Sequence, residues 1–342
     1  MSSAMRCVVV ASIVMLVASS MAMADPLPGR DFIKFAQLPM ITTQIPDAAG
    51  NVNDYYGHDE LSTAWIDPEG EGEVIYKGRF MADDFADPYD RPVVHVKWWG
   101  SYMGDQAGRV VDKFAIVFEN DIPKDVAIDN PDDPYTFSHP DCIGPKYSQI
   151  SKRDGDGILQ PMEGTFTERL VPGSNPNEPV YEYNAELCCP FDQEANKVYW
   201  LKIVALVDEP LDDQNRLQWG WHNRDYTIQD PFASTLVNPG ENIQGVLNAG
   251  TSLETPIWHF QDDAVSGDVE NIAILDPCDI HMDQDHWGNS LADEHYVDGI
   301  DGPDGIGVYS KDLAFVLYSV PEPSTIVLLV MGVIGMALTR RR

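Results

Sequence analysis

Short segments in which hydrophobic and polar residues alternate recur along this chain. In VVHVKWW, Val96 and Trp98 would lie on one face of a strand, and His95 and Lys97 on the other. The segment VYWLKIVALV is hydrophobic on both faces, which is typical of a central strand. Such segments, rich in β-branched and aromatic residues, predict nine strands: Glu73–Phe80, Val93–Tyr102, Val110–Glu119, Thr165–Val171, Val180–Leu187, Val198–Val207, Leu217–His222, Ile257–Gln261 and Leu313–Val320.

Turn-forming residues separate these segments, and no amphipathic helix of convincing length appears. The 25 prolines are spread through the connections, and short strands joined by Pro and Gly turns are typical of antiparallel folds. The predicted fold class is therefore all-β, an antiparallel β-sandwich or jelly roll with long loops. The largest loop is expected within residues 121–164.

The net charge of the chain limits the classes of partner that it can bind. Its 342 residues include 22 Lys and Arg and 55 Asp and Glu, a formal net charge of −33. A field of that sign repels phosphate backbones and argues against nucleic acid as a partner. The hydrophobic share of 44% is enough to bury a core and excludes a wholly disordered chain.

The first 24 residues read as a secretory signal peptide. Arg6 supplies a positive charge, and the 11 residues from Cys7 to Val17 form an apolar run too short to span a bilayer. Ala22 and Ala24 frame an A-x-A cleavage site. These features predict delivery to Sec-type export machinery and removal of residues 1–24.

The last 23 residues form a second targeting segment. Pro321, Glu322 and Pro323 precede an apolar run from Ile326 to Leu338, and an Arg cluster ends the chain: Arg340, Arg341 and Arg342. Residues 324–339 would make a helix of about 24 Å against a bilayer core of about 30 Å, which is marginal for a permanent anchor. The arginines would stay on the cytoplasmic side.

This arrangement resembles the PEP-CTERM sorting signal. The resemblance implies a Gram-negative bacterium that makes exopolysaccharide, transient anchoring in the inner membrane, and processing near Pro-Glu-Pro by the membrane protease exosortase. The implied destination is the cell surface or extracellular matrix. The predicted organisation is then a signal peptide (1–24), a β-rich extracytoplasmic domain (25–319) and a sorting segment (320–342). The middle domain holds 18 basic and 54 acidic residues, a net charge of −36.

The body resembles an uncharacterised family of exported β-rich proteins. The motifs that carry this resemblance are MADDF (residues 81–85), WWGSY (98–102), FDQ (191–193) with VYWL (198–201), and WGWH (219–222). The resemblance supports the fold class and export, and it implies no activity and no catalytic residue.

Four cysteines remain after signal removal: Cys142, Cys188, Cys189 and Cys278. An even number in an exported protein predicts disulfides. Adjacent Cys188 and Cys189 would form a strained ring, which favours two longer-range bridges with the pairing left open. A zinc site is the alternative, although no C-x-x-C spacing is present.

Residues 278–304 carry the densest set of acidic and His side chains. Asp279, Asp283, Asp285 and Asp293 are candidate ligands for Ca²⁺, which prefers several oxygen ligands. A hydrated acidic loop and a His-ligated metal are the alternatives. A weaker calcium candidate runs from Asp154 to Glu163, where Lys152 occupies the first ligand position and favours a simple turn.

Aromatic residues offer one further candidate site. Trp219 and Trp221 have the same parity along a predicted strand, so they could stack together on sugar rings, although strand aromatics are more often core. No nucleophile elbow, metalloprotease motif or phosphate-binding loop appears. The sequence favours a non-enzymatic structural or glycan-binding protein, with a carbohydrate-active enzyme using paired carboxylates as the alternative.

Processing of the tail gives a first test. Mass spectrometry of the mature protein is expected to find its C-terminus within residues 321–324, because the apolar run is marginal in length and follows the proline-bracketed segment. Recovery of intact Arg342 in the released fraction would contradict this.

Calcium gives a second test. Millimolar Ca²⁺ should raise the Tm of residues 25–319 more than NaCl of equal ionic strength, since binding at roughly ten times Kd adds about 1.4 kcal/mol. Replacing Asp283 and Asp285 by Asn should remove most of this difference, with the same change at Asp154 and Asp156 as control. Equal Tm shifts from both salts would show that residues 278–304 are a hydrated acidic loop without a calcium site.

Overall fold

The computed structural model describes the body of the chain and little of its ends. One compact unit is Ile33–Tyr318, and Met1–Phe32 with Ser319–Arg342 are assigned to a second. The signal peptide and the apolar run of the sorting segment lie outside the described residues. The residues described are 32–46, 52–69, 74–104, 108–123, 138–141, 146–154, 163–228, 244–247, 256–259, 264–276, 279–283, 286–290 and 312–320.

Twenty β-strands form the regular structure of these residues. They are β1 (Phe32–Gln37), β2 (Thr43–Pro46), β3 (Val52–Tyr55), β4 (Asp59–Leu61), β5 (Thr63–Ile66), β6 (Ile75–Phe85), β7 (Val93–Tyr102), β8 (Lys113–Ile122), β9 (His139–Pro140), β10 (Tyr147–Arg153), β11 (Thr165–Leu170), β12 (Val180–Phe191), β13 (Tyr199–Pro210), β14 (Trp219–His222), β15 (Gln244–Leu247), β16 (Pro256–His259), β17 (Val265–Asp276), β18 (Asp279–Asp283), β19 (His286–Ser290) and β20 (Phe315–Ser319). Each of the nine predicted segments overlaps one of these strands, which confirms the all-β prediction. Within the described ranges, no helix is long and apolar enough to cross a membrane.

The sandwich or jelly-roll prediction is not confirmed, because most strands join one large mixed sheet. Its main path runs β1-β20-β7-β12-β11-β10-β8-β13-β5-β6-β17-β18. Most pairs are antiparallel, but β10 pairs with β11 and β13 pairs with β5 in parallel. Two small ribbons, β2-β3 and β15-β16, stand apart from this sheet among the described strands.

The sheet curls around its own hydrophobic core. The largest buried cluster takes side chains from β1, β5, β6, β7, β8, β11, β12, β13, β14 and β20. Phe114 lies in it with ring centroids 4.9 to 5.2 Å from those of Trp98, Phe166, Tyr183 and Trp219. Edge-to-face contacts at this spacing add to the energy of burying the aromatic surface.

The outer face of the sheet is covered in two places. Trp200, Val204 and Leu206 of β13 belong to a second cluster, while Leu201 and Ile203 face the main core. The prediction that this strand is covered on both faces is confirmed. Trp99 belongs to a third cluster, on the opposite face of β7 from Trp98, as the alternation of VVHVKWW predicts.

Candidate functional site

Two of the sequence motifs meet where β7 pairs with β14. Gly100 lies opposite Trp221, and Ser101 lies opposite Gly220. A Cβ atom at Gly100 would stand 2.2 Å from the Trp219 ring and 2.4 Å from the Gly220 carbonyl oxygen. Only glycine therefore permits these strands to approach so closely, and the approach brings polar residues of both motifs together around β4.

Asp59 of β4 is the centre of this polar cluster. One carboxylate oxygen accepts a hydrogen bond of 2.5 Å from the Ser101 hydroxyl. The other lies 2.9 Å from Nδ1 of His222. The side chains of Asp59 and His222 are 3% and 2% exposed, so this ion pair is sealed from solvent.

The surroundings of His222 favour the charged form of its ring. Its Nε2 lies 2.7 Å from the Met40 carbonyl oxygen, so both ring nitrogens face acceptors and both must donate. Burial disfavours the charged ring, but the charge and hydrogen bond of Asp59 outweigh burial and raise the pKa of His222 above its ordinary value. The charged imidazole ties β14 to β4 and to the segment after β1.

Ser101, Asp59 and His222 do not form a catalytic triad. In a triad the serine hydroxyl donates to the imidazole, and the carboxylate lies behind the ring. Here the Ser101 hydroxyl donates to the carboxylate, and the far nitrogen of His222 is occupied by a backbone carbonyl. The arrangement provides no base for a serine nucleophile.

Glu178 is an exposed carboxyl near this cluster with a perturbed pKa. It belongs to the turn that precedes β12 and is exposed. Partial desolvation and the charge of Asp59 raise the pKa of Glu178, while His222 and His58 oppose the rise. An exposed carboxyl with a raised pKa is a candidate general acid.

Other buried ionisable groups also link distant segments. Arg224 donates to Asp312 at 3.1 Å, with both side chains 2% exposed. Asp83 accepts a hydrogen bond of 2.7 Å from the Leu313 backbone N–H. Burial and the nearby charge of Asp312 raise the pKa of Asp83 well above its ordinary value. These contacts join β6, the end of β14 and the segment that enters β20.

Two buried lysines are paired in the same way. Lys34 of β1 lies 3.4 Å from Asp87 and donates to the Arg91 carbonyl oxygen. Burial lowers the pKa of Lys34 to about 8, although Asp87 opposes this. Lys202 of β13 lies 2.6 Å from Glu119 of β8. All four ion-paired side chains have no exposed surface, so they serve the fold and not the solvent-facing chemistry.

A cleft where β8 begins and β13 ends has a volume of about 180 Å³, below the roughly 300 Å³ at which ligand pockets begin. Lys113 at its rim is paired with Asp208 at 2.6 Å, and Arg109 pairs with Glu209 at 3.0 Å. The charges around this cleft are thus satisfied within the protein.

Comparison with known families settles the class of the body. Residues 33–263 match the family described as Domain of unknown function (DUF7901). The chain belongs to the DUF7901 family. Residues 319–342 match the PEP-CTERM protein-sorting motif, so the DUF7901 domain is part of an exported protein of Gram-negative bacteria that exosortase processes. No curated protein and no solved structure matches the chain.

The structure places the predicted stacking tryptophans in the core of the DUF7901 domain. Trp219 and Trp221 are both 0% exposed. Trp219 donates to the Tyr183 hydroxyl and Trp221 to the Ala314 carbonyl oxygen. Their shared parity does put them on one face, but that face is the inner one, so neither ring is open to a sugar.

The predicted acidic loop is partly strand. Asp279 and Asp283 are the ends of β18, which pairs with β17, while Asp285 and Asp293 lie outside the described residues. In the described part of the chain, no three His, Cys, Asp or Glu side chains are grouped to hold a metal ion. Calcium binding by residues 278–304 stays a prediction.

The remaining predicted residues are only partly described. Cys188 and Cys189 belong to β12, where the Cys188 backbone N–H donates to Gln149 and Cys189 is exposed. Cys142 and Cys278 lie outside the described residues, as do Ala22 and Ala24 of the signal peptide. The same holds for the sorting-segment residues Pro321, Glu322, Pro323, Arg340, Arg341 and Arg342.

Sequence reasoning missed Asp59, Lys34 and Asp87. Asp59 is part of HDE (58–60), which reads as a hydrated turn. Its partner His222 is 163 residues away. For His222 alone the sequence held a clue. It is a polar residue at the end of the otherwise apolar segment WGWH.

The His222 pair predicts a pH-dependent loss of stability. His222→Gln leaves Asp59 buried without its counter-charge, which should cost about 3–5 kcal/mol. Because the folded pKa of His222 is raised, its contribution is fully present below about pH 6.5 and is lost as pH rises through the folded pKa. Urea denaturation of residues 25–319 across this range should show the largest difference from wild type at the acidic end.

The matched control is Lys197→Gln, which removes the exposed pair of Lys197 with Glu194. This change should cost about 0–1 kcal/mol. A His222→Gln variant no less stable than Lys197→Gln, or a difference that grows with pH, would contradict the charged state of His222.

Proposed function

We propose that this exported protein is a non-enzymatic structural component of the cell surface or extracellular matrix. The observation that supports it most is the use of buried charged groups. His222 with Asp59, Arg224 with Asp312, Lys34 with Asp87 and Lys202 with Glu119 are pairs whose side chains are at most 3% exposed. Catalytic acids and bases must reach a substrate, and these groups instead hold strands together.

The exposed surface of the described residues supports a structural role more than sugar stacking. Glycan recognition by stacking needs accessible aromatic faces. Among the described side chains, Tyr89 is the single exposed aromatic residue. A body with a net charge of −36 would associate with neutral polymers or through bound cations.

The second candidate is an extracellular carbohydrate-active enzyme. It is favoured by Glu178, whose pKa is raised by partial desolvation and by the charge of Asp59. A carboxyl with a raised pKa could act as the general acid that protonates a glycosidic oxygen. Glu178 is the residue that this function would require.

Complementation of a deletion strain separates the two functions. Glu178→Gln should restore surface or matrix retention as well as the wild type does, and purified protein should release no sugar from a panel of exopolysaccharides. Glu194→Gln, at a side chain 76% exposed, is the matched control. Sugar release that falls by about 10²- to 10⁴-fold in Glu178→Gln and not in Glu194→Gln would overturn the structural role in favour of the enzyme.

A further inference from the structure

The last strand of the body leaves it at a defined end of the sheet. β20 pairs antiparallel with β7, from Phe315 opposite Trp98 to Tyr318 opposite His95. His95 is two residues inside the start of β7 at Val93. The chain therefore passes into the sorting motif, matched from residue 319, at the end of β7 that follows the 86–92 loop.

The first strand starts at the same end. Lys34 of β1 contacts Asp87 and the Arg91 carbonyl oxygen, both in the 86–92 loop. β1 then runs away from this loop, because the Leu38 carbonyl oxygen accepts from Asp225 and Met40 binds His222 near the far end of β7. Both connections to the export signals thus meet the body beside one loop.

We propose that the 86–92 loop is the surface that faces the membrane before the sorting segment is processed. Seven residues separate Tyr318 from Ile326, the first residue of the apolar run. Seven residues span at most about 25 Å. β7 has 10 residues, a length of about 33 Å. Residues 319–325, the tether, are therefore too short to let the far end of β7 face the lipid while the tether leaves from the near end.

Two side chains of the loop suit a bilayer interface, and they flank the exposed Asp90. Tyr89 is 42% exposed, and the Arg91 guanidinium lies 5.6 Å from the centre of its ring. Tyrosine favours the headgroup level, and arginine extends its charge to phosphate while its stem covers apolar surface. The single exposed aromatic among the described residues therefore lies where the tether holds the protein closest to lipid.

Photocrosslinking of the chain from Asp25 to Arg342 tests this orientation. p-Benzoylphenylalanine replaces Tyr89 in one variant and Val110 in another. Val110 is 44% exposed and precedes Val111, whose N–H donates to Tyr102 at the far end of β7. The protein is inserted into vesicles of phosphatidylethanolamine and phosphatidylglycerol, and the fraction that floats with them is irradiated. Mass spectrometry should find several times more lipid adducts at position 89 than at position 110.

A flexible linker distinguishes the effect of the short tether from an affinity of the 86–92 loop for lipid. About 20 Gly and Ser residues inserted between Val320 and Pro321 add an r.m.s. reach of about 25 Å and should bring the two positions close to equal. Equal labelling without the linker would overturn the proposal, as would a preference for position 89 that the linker leaves unchanged. Failure of the chain to float with vesicles would overturn it as well.

Discussion

The curled sheet depends on one edge of β7 that two strands share. β20 occupies this edge as far as Trp98, and β14 occupies it from Gly100 onward. The two strands approach each other there, because the His222 carbonyl oxygen accepts from Ala314. A side chain at position 100 would collide with the Trp219 ring. This glycine is therefore a condition for closing the inner face of the sheet around its aromatic core.

Buried charges mark the places where this closure joins distant segments. Removing two charges from water is costly, and a hydrophobic pair of similar volume is often as stable. A charged pair is nevertheless selective, because each member tolerates few alternative partners. Asp59 with His222 joins β4 to β14, and Lys34 with Asp87 joins β1 to the 86–92 loop.

Alternation and turn chemistry found most of the long apolar strands, including β7 within its bounds, but missed the 12-residue β17. They missed β10, YSQISKR, because its inward positions include Gln149 and Ser151, which hydrogen-bond to each other inside the fold. The sequence also could not decide whether Trp219 and Trp221 lie in the core or on the surface. Parity tells which residues share a face, but which face is enclosed depends on how the sheet curls.

The position of β20 also fixes an order of assembly. β1 is the first strand of the body, and its neighbour in the described sheet is the last one. Its pairing therefore waits until nearly the whole body has been synthesised. Pairing between the two ends of a chain is slow, since a loop of almost the full length must close. The body thus completes this pairing only after the strand that directly precedes the sorting motif has been made.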